Sequence, residues 1–204
     1  MKWFISDLHL SHDNVRKASD RPFVSVNEMN DAIINNILAA VKRGDHLYIL
    51  GDVAYKRDVL IDFLHTMKGR GIFVHLIIGN HDLKLLNEEI KALVESVSMR
   101  ELIRLDGGER VWLTHEPNLV WNQSFRNSWQ LYGHVHSKGM DRSWVESILT
   151  GKALNVNVEL HNYQPWSEEE IRQYMLARPD NHDYTLWQAS KSFDDVLNDA
   201  YAKH

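Results

Sequence analysis

Short apolar runs alternate with amphipathic stretches through the first half of the chain, and this alternation most constrains the fold. Apolar runs at Lys2–Ser6, His46–Leu50 and Ile72–Ile78 predict strands, and the third is continuous enough to be buried on both faces. Amphipathic stretches at Asp58–Lys68 and Leu83–Leu93 predict helices after the second and third of these strands. Strands that alternate with helices indicate βαβ units and therefore a parallel sheet.

A further helix is predicted between the first two strands. Ser25 and Glu28 have the spacing of a capping box. Apolar residues then follow at helical intervals, namely Val26, Met29, Ile33, Ile37 and Val41. Gly44 is placed to end this helix at its C′ position, where glycine is common.

The second half of the chain has a different, strand-rich pattern. The sequence DGGE at residues 106–109 is a strong hairpin turn signal. The predicted elements here are strands at Glu101–Leu105, Arg110–Thr114, Gln130–Tyr132 and Ala153–Val158, and a helix from Ser167 to about Ala177. No repeat and no linker rich in glycine, proline or serine interrupts the chain, which favours a single domain over residues 1–204. Residues 178–204 are expected to be a C-terminal tail with a weak helical pattern.

The composition excludes several classes of protein. The chain has no cysteine, so disulfides and thiolate zinc sites are ruled out, and its 12 histidines are the available ligands for a transition metal. A net charge of −5 gives no support for a basic face that grips duplex DNA. No apolar stretch approaches the roughly 18–20 residues of a membrane span, so we expect a soluble, cytoplasmic protein with no membrane contact.

Polar residues that can bind metals follow five of the predicted strands. They are Asp7 with His9, Asp52, Asn80 with His81, His115, and His134 with His136. Taken singly, each motif could be an ordinary turn. Because ligands of open α/β sheets bind beyond the carboxyl ends of the strands, we expect these side chains to converge. Aspartates that converge in a desolvated pocket need a compensating cation. The set is too large for one tetrahedral site and suits two ions with a bridging carboxylate, as in hydrolytic phosphoryl chemistry and some peptidases.

In their order along the chain, these motifs resemble the signature of the calcineurin-like metallophosphoesterases. The motifs are Asp7-x-His9, Gly51-Asp52, Gly79-Asn80-His81-Asp82, His115 and Gly133-His134-x-His136, and the likeness spans residues 2 to about 172. The stretches SHDNV, LGDVA and NVNVELHNYQPWSEEEI are similar to a bacterial and phage branch of compact single-domain phosphoesterases. The resemblance implies an α/β fold, namely the four-layer α/β/β/α metallophosphoesterase sandwich.

The resemblance also implies a role for each residue. Asp7, His9 and His136 would hold one metal ion, Asp52 would bridge to a second, and Asn80, His115 and His134 would complete the second site. His81 would be the catalytic residue that stabilises or protonates the leaving oxygen. The lipid-A pyrophosphatase branch has arginine at the position of His81, so we do not expect that activity here. Mixed carboxylate, amide and imidazole ligands favour two divalent ions, with Mn²⁺ expected first and Fe, Zn²⁺ or Ni²⁺ as alternatives.

We therefore expect a phosphoester hydrolase that depends on two metal ions. Its expected activity is that of a phosphodiesterase, which attacks small nucleotide-like substrates with a metal-bridging hydroxide. The alternatives are a phosphomonoesterase, a nuclease and a non-catalytic scaffold of the same fold. A nuclease would need an extended basic groove, so nucleic acid is expected at most as a single strand. A scaffold would have lost ligands, whereas every expected ligand is present.

Three further residues are candidates for substrate binding. His12 and Asn14 flank the first motif and could contact phosphate, although a solvated loop histidine and a local cap explain them equally well. Arg126 lies in the aromatic segment WNQSFRNSW at residues 121–129, where rings beside an arginine could stack a base and hold a phosphate. The alternative is a loop that folds its own aromatic rings over the rim.

Overall fold

A computed structural model of the protein describes residues 1–138 and 140–190 and contains a mainly parallel first sheet. Its strands are β1 (Lys2–Ile5), β2 (His46–Leu50), β3 (Phe73–Ile77), β4 (Ser96–Ser98) and the last strand of the described chain, β9 (Trp166–Ser167). The strand order is β4-β3-β2-β1-β9, with β1 to β4 parallel and β9 antiparallel to β1. The carboxyl ends of β1, β2 and β3 therefore share one edge.

The second sheet has the strand order β5-β6-β7-β8. Its strands are β5 (Arg100–Arg104), β6 (Arg110–Thr114), β7 (Trp129–Tyr132) and β8 (Ala153–Asn155). The first two form the antiparallel hairpin predicted around residues 106–109, whereas β6, β7 and β8 run parallel. The carboxyl ends of β6 and β7 therefore also share an edge.

Helices flank the two sheets. They are α1 (Asp13–Ala18), α2 (Val26–Ala40), α3 (Arg57–Gly69), α4 (Glu88–Leu93), α5 (Met140–Ile148) and α6 (Glu168–Leu176), and residues 182–190 are also helical. Among the described residues, none of these helices is long and apolar enough to cross a bilayer. The part of the predicted tail beyond residue 190 lies outside the described residues, and the single domain over residues 1–204 stays a prediction.

Three groups of buried apolar side chains define the layers. The first fills the space between the first sheet and helices α2 to α4, with Ile33 and Phe63 at 0% and 2% exposure. The second lies between the two sheets and contains Leu50 and Leu113. The third lies under α5 and includes Val145. Each such side chain contributes about 1.5–3 kcal/mol by leaving water. The order is helices, sheet, sheet, helix, which confirms the predicted α/β/β/α sandwich.

Helix α2 ends earlier than predicted. The Ser25 side chain caps the backbone N–H of Glu28 at 3.2 Å, but the Glu28 carboxylate accepts from the backbone of Val24 and not of Ser25. The C-cap is Val41, which is extended, and Gly44 lies in the turn to β2 with φ +87. The placement of Gly44 at the C′ position was therefore wrong, because the backbone leaves the helix before it.

The predicted helix at Leu83–Leu93 is shorter in the structure. The Asn87 side chain accepts from the backbone N–H of Ile90 at 2.9 Å, so that α4 begins at Glu88, and residues 80–85 form turns. The predicted strand at Ala153–Val158 ends at Asn155. Helices α1 and α5 and strands β4 and β9 were not predicted. Helix α1 and the two strands carry too few residues to show a period.

His75 gives the fold a dependence on pH. Its Nε2 lies 2.8 Å from Nδ1 of His46 and its Nδ1 lies 2.9 Å from Oγ of Ser96. Burial, together with the charge of His46, lowers the pKa of His75 to about 4. The unfolded chain takes up a proton at this side chain near pH 6.5, whereas the folded chain resists it until about pH 4. His75 therefore favours folding above pH 6.5, and this advantage is lost as the pH falls from 6.5 towards 4.

We expect His75→Gln to flatten the pH dependence of unfolding. Between pH 7 and pH 5 the wild type should lose about 1–2 kcal/mol more stability than the variant. The measurement is urea unfolding at several pH values, with His65→Gln on the exposed face of α3 as the matched control. A variant with the same pH slope as the wild type would contradict the assignment.

Candidate metal centre

The residues predicted to bind metal lie at the shared edge of the two sheets. Asp7 and His9 follow β1, Asp52 follows β2, Asn80 follows β3, His115 follows β6, and His134 and His136 follow β7. All of them take part in one network of contacts within 4.0 Å. This arrangement arises because all five strands present their carboxyl ends to the same edge.

One group consists of Asp7, His9 and His136. The Nε2 atoms of His9 and His136 lie 3.9 and 4.0 Å from Oδ1 of Asp7. The ligand atoms of these three residues all lie within 4.8 Å of one another. They are too far apart for hydrogen bonds. Since metal–ligand bonds to imidazole and carboxylate are about 2.0–2.2 Å long, the three atoms suit a shared ion.

A second group consists of Asp7, Asp52 and His115. The Oδ2 atom of Asp52 lies 3.5 Å from Nε2 of His115 and 3.6 Å from Nε2 of His9, so it touches residues of both groups. Oδ1 of Asn80 lies 3.1 Å from Nε2 of His115 and 3.1 Å from Nδ1 of His134. The two groups are therefore contiguous, with the carboxylates between the imidazoles.

Four of these residues have left-handed backbone conformations. Asp7, His9, Asp52 and His134 have φ values of 57, 50, 57 and 66. Such conformations cost about 1–3 kcal/mol each for residues other than glycine and persist where the surrounding structure enforces them. Four of the ten non-glycine residues with positive φ in the described part of the chain are therefore candidate ligands.

Two glycines allow the ligand loops to approach closely. A Cβ atom at Gly51, where φ is +87, would overlap Nδ1 of His115 and lie 2.7 Å from Cα of Gly79. A Cβ atom at Gly133 would overlap the side chains of Ser6 and Asp7. Glycine is therefore required at both positions for the carboxylates and imidazoles to meet.

The donor set fits divalent cations. Within the described part of the chain, Nε2 of His9 is buried and has no hydrogen-bond partner, although carboxylates of Asp7 and Asp52 lie within 4.0 Å. Burial lowers the pKa of His9 to about 2, so the imidazole stays neutral. This nitrogen belongs to a neutral imidazole, lies next to two carboxylates and has no hydrogen-bond partner among the described residues. These are the properties of a metal ligand.

Asp52 and His115 are electrostatically coupled. Burial raises the pKa of Asp52, but the hydrogen bond and charge of His115 outweigh it and hold the value at about 2. Burial lowers the pKa of His115, but Asp52 and Asp7 outweigh it and raise the value to about 9. The pocket therefore strongly favours positive charge beside these carboxylates, which a divalent cation also supplies.

Asp82 supports the ligands without being one of them. Its Oδ2 accepts hydrogen bonds from the backbone N–H groups of Asp52 at 2.7 Å and Gly79 at 2.8 Å, and its Oδ1 accepts from Val53 at 3.0 Å. The side chain is fully buried. Sequence reasoning placed Asp82 in the Gly-Asn-His-Asp motif but gave it no role. A carboxylate in a turn after a buried strand was the available signal.

Glu159 and Arg21 hold His136 in place. Oε1 of Glu159 lies 2.7 Å from Nδ1 of His136 and 2.9 Å from Nε of Arg21, and Oε2 accepts from the backbone N–H of Ser137. Arg21 also donates to the backbone carbonyl of Asp7 at 2.7 Å. Sequence reasoning missed both residues. Glu159 lies in the stretch NVNVELHNYQPW, but nothing local relates it to Arg21.

We expect Glu159→Gln to weaken metal binding by about 10–100-fold, as is usual when the partner of a ligating histidine is changed. The amide is neutral and binds Nδ1 of His136 less strongly than the carboxylate does. Titration of the metal-free protein with Mn²⁺ by calorimetry measures the effect, with Glu89→Gln on the exposed side of α4 as the control. Equal affinities of all three proteins would contradict the role of Glu159.

The predicted substrate-binding residues are not all at this edge. Nδ1 of His12 lies 3.2 Å from Nδ1 of His9, and its ring stacks on Tyr55 with centroids 4.3 Å apart. Asn14 is exposed on α1. Arg126 precedes β7, whereas His134 follows it, so these two residues lie at opposite ends of the strand. The structure therefore brings His12 to the candidate metal ligands and places Arg126 away from them.

A two-sheet α/β sandwich with clustered aspartates and histidines at one edge is the architecture of a metal-dependent phosphoester hydrolase. The chain belongs to the calcineurin-like phosphoesterase superfamily, whose domain model matches residues 2–158. The predicted family and enzyme class are thereby confirmed.

Three similar proteins extend this comparison. An uncharacterised protein of Methanocaldococcus jannaschii is 29% identical over 172 residues, which cover 83% of this chain and 88% of that protein. A symmetrical bis(5'-nucleosyl)-tetraphosphatase of Mannheimia succiniciproducens is 28% identical over 156 residues, which cover 71% of this chain but only 49% of that protein. The crystal structure of a protein of unknown function from Aquifex aeolicus is 26% identical, with a TM-score of 0.68 over 85% of this chain and 98% of that one.

Proposed function

We propose that the protein is a dinuclear-metal-dependent phosphodiesterase that acts on small nucleotide-like substrates. The main support is the pair of contiguous ligand groups, with the neutral, unpartnered Nε2 of His9 between the carboxylates of Asp7 and Asp52. The name of the Mannheimia succiniciproducens relative favours a nucleotide-like substrate. Because the matched region is about half of that relative, we infer only a class of substrate from its name and not a particular compound.

The proposed ligands of the two ions combine these groups with the contacts of Asn80 and the roles that the family resemblance implies. Asp7, His9 and His136 would hold one ion, Asn80, His115 and His134 the other, and Asp52 would bridge them. When bound, two such ions lower the pKa of a shared water to about 7 and neutralise the phosphoryl oxygens. Mn²⁺ is the ion we propose for activity, since the mixed oxygen and imidazole donors suit it.

We propose that the side chain of His81 acts on the leaving group. Its backbone N–H donates to Oδ1 of Asp52 at 2.9 Å, which fixes the residue beside the bridging carboxylate. Its half-buried ring lies 5.3 Å from the ring of His9 and 5.4 Å from that of His12. No metal role is assigned to this imidazole, so it is available to donate a proton to the leaving oxygen.

We expect His81→Asn to lower kcat by about 10²–10⁴-fold for diesters with a basic alkoxide leaving group. The loss should be much smaller for a 4-nitrophenolate leaving group, which departs without a proton. Plotting log kcat against leaving-group pKa for both proteins tests this, with His65→Asn as the control. An equal loss for good and poor leaving groups would mean that His81 only positions the substrate.

The proposed function is tested by assaying a panel of substrates in the presence of several divalent ions in turn. With Mn²⁺ the wild type should hydrolyse bis(4-nitrophenyl) phosphate faster than 4-nitrophenyl phosphate, and should also act on nucleotide diesters. Preference for the monoester would support a phosphomonoesterase. Preference for single-stranded oligonucleotides would support a nuclease. A lack of bound metal at neutral pH, with no activity on adding Mn²⁺, would support the scaffold.

A further inference from the structure

A groove with a volume of about 460 Å³ opens beside the candidate metal centre, on the side of Asn80 and His115. Its other walls include Leu83, Met99, Arg100 and Glu116, and these residues define the Arg100 groove. Pockets for small ligands are typically about 300–1,000 Å³ in size. The groove is therefore large enough for a nucleoside-sized group, and it is continuous with the site where the phosphate would bind.

The walls of the Arg100 groove come from the same strands as the metal ligands. Leu83 lies in the turns after β3, and Glu116 directly follows His115 after β6. Met99 is the single residue at which the chain passes from β4 in the first sheet to β5 in the second. Arg100 pairs with Thr114 in the β5–β6 ladder. The sheets therefore carry the walls of the groove and fix their position relative to the candidate ligands.

The apolar part of the groove suits a flat ring. Leu83 and Met99 are each 58% exposed, although both are large apolar side chains. A methionine thioether makes favourable contacts with aromatic rings, at about 0.3–1.5 kcal/mol each. A nucleobase or another aromatic group lying on these two side chains would remove their apolar surface from water.

The polar part of the groove suits an anion beside a hydroxylated group. Within the described residues, the guanidinium of Arg100 and the carboxylate of Glu116 have no ion-pair or hydrogen-bond partner, and they do not pair with each other. A guanidinium binds phosphate through two parallel hydrogen bonds. Glu116 repels phosphate but accepts hydrogen bonds from hydroxyl groups. The two charges therefore favour a ligand with both kinds of group.

The Arg100 groove and the ring of His81 lie beside different residues of the candidate metal centre. His81 does not line the groove, and its ring lies near His9 and His12 instead. In the proposed reaction, a leaving group that takes its proton from His81 would therefore lie outside the groove. The groove would then be free to receive the group that stays attached to the phosphorus.

We infer that the Arg100 groove binds the retained part of the substrate, with a planar ring on Leu83 and Met99 and a second phosphate on Arg100. This inference rests on the proposed function and narrows its substrate class to nucleotides that carry at least one phosphate besides the one attacked. Nucleoside polyphosphates and their dinucleoside esters have this chemistry.

Arg100→Gln tests the inference, and Arg104→Gln is a matched control because Arg104 is exposed at the other end of β5. The measured quantity is kcat/KM for a dinucleoside tetraphosphate divided by kcat/KM for bis(4-nitrophenyl) phosphate. We expect Arg100→Gln to lower this ratio by about tenfold or more, mainly through KM, since it removes a charged hydrogen-bond donor. Arg104→Gln should leave the ratio unchanged, and an unchanged ratio in both variants would overturn the inference.

A second measurement separates the groove from the proposed function. Binding of ATP to the full chain is measured by calorimetry in EDTA, where no hydrolysis takes place. Arg100→Gln should raise Kd by about tenfold relative to the wild type and to Arg104→Gln. Equal Kd values for the three proteins would overturn the role of Arg100. If ATP binds as expected but the wild type hydrolyses no phosphoester with any ion, the groove stands and the proposed function fails.

Discussion

Asp52→Asn should lower kcat/KM for a phosphodiester by far more than the roughly 10–100-fold typical of residues behind the ligands. The substitution keeps the shape of the side chain but removes the charge that faces both His9 and His115, 3.6 and 3.5 Å away. It also removes the carboxylate that raises the pKa of His115 to about 9 against the effect of burial. We expect both metal content and turnover to fall.

The measurement combines steady-state kinetics in Mn²⁺ with metal analysis of the purified protein. Asp31→Asn is the matched control, since Asp31 is exposed on α2 and lies outside the site. Wild-type turnover in Asp52→Asn would rule out the bridging role. A variant that keeps two ions but loses turnover would instead assign Asp52 to the chemistry alone.

Asp82→Ala should lower the free energy of unfolding by about 3 kcal/mol or more, because it leaves three buried backbone N–H groups without an acceptor at about 1–3 kcal/mol each. These donors belong to Asp52, Val53 and Gly79, at 2.7, 3.0 and 2.8 Å from the carboxylate. For a chain of this size such a loss lowers Tm by roughly 6–12 °C.

Thermal and urea unfolding of the metal-free protein measure this effect. Asp62→Ala on the exposed side of α3 provides the control and should change Tm little. Asp82→Asn should lie between the wild type and Asp82→Ala, since its one amide oxygen can serve only part of the three donors. A Tm for Asp82→Ala equal to that of the control would show that the surrounding turns are stable without the carboxylate of Asp82.

The sequence predicts that the candidate ligands converge, because each one follows a strand whose pattern is visible locally, and their binding of metal stays a prediction. Asp52 directly follows Gly51 at the end of an apolar run. Because the carboxyl ends of parallel strands share one edge of the sheet, this position places Asp52 at that edge. The supporting contacts are not local. Glu159 and Arg21 are 138 residues apart, and Asp82 and Asp52 are 30 apart, so no window of sequence shows that they meet.

Two predictions depend on patterns that do not fix a position in the fold. Arg126 is predicted from its aromatic segment, which does not show at which end of β7 the residue lies, and its role in substrate binding stays a prediction. The helix at Leu83–Leu93 was drawn from its apolar period alone, and the capping side chain of Asn87 decides where α4 begins. In the turn after β3, the hydrogen bond of Asn87 therefore overrides the apolar period.

The guanidinium of Arg21 ties early and late parts of the chain together, since it holds the carbonyl of Asp7 and the carboxylate of Glu159. During synthesis on the ribosome, residues emerge in order, and Glu159 appears long after Asp7. In the proposed metal centre, a nascent chain that has exposed only the first four strands still lacks His136 and Glu159. We therefore expect high-affinity metal binding only after most of the polypeptide has left the exit tunnel.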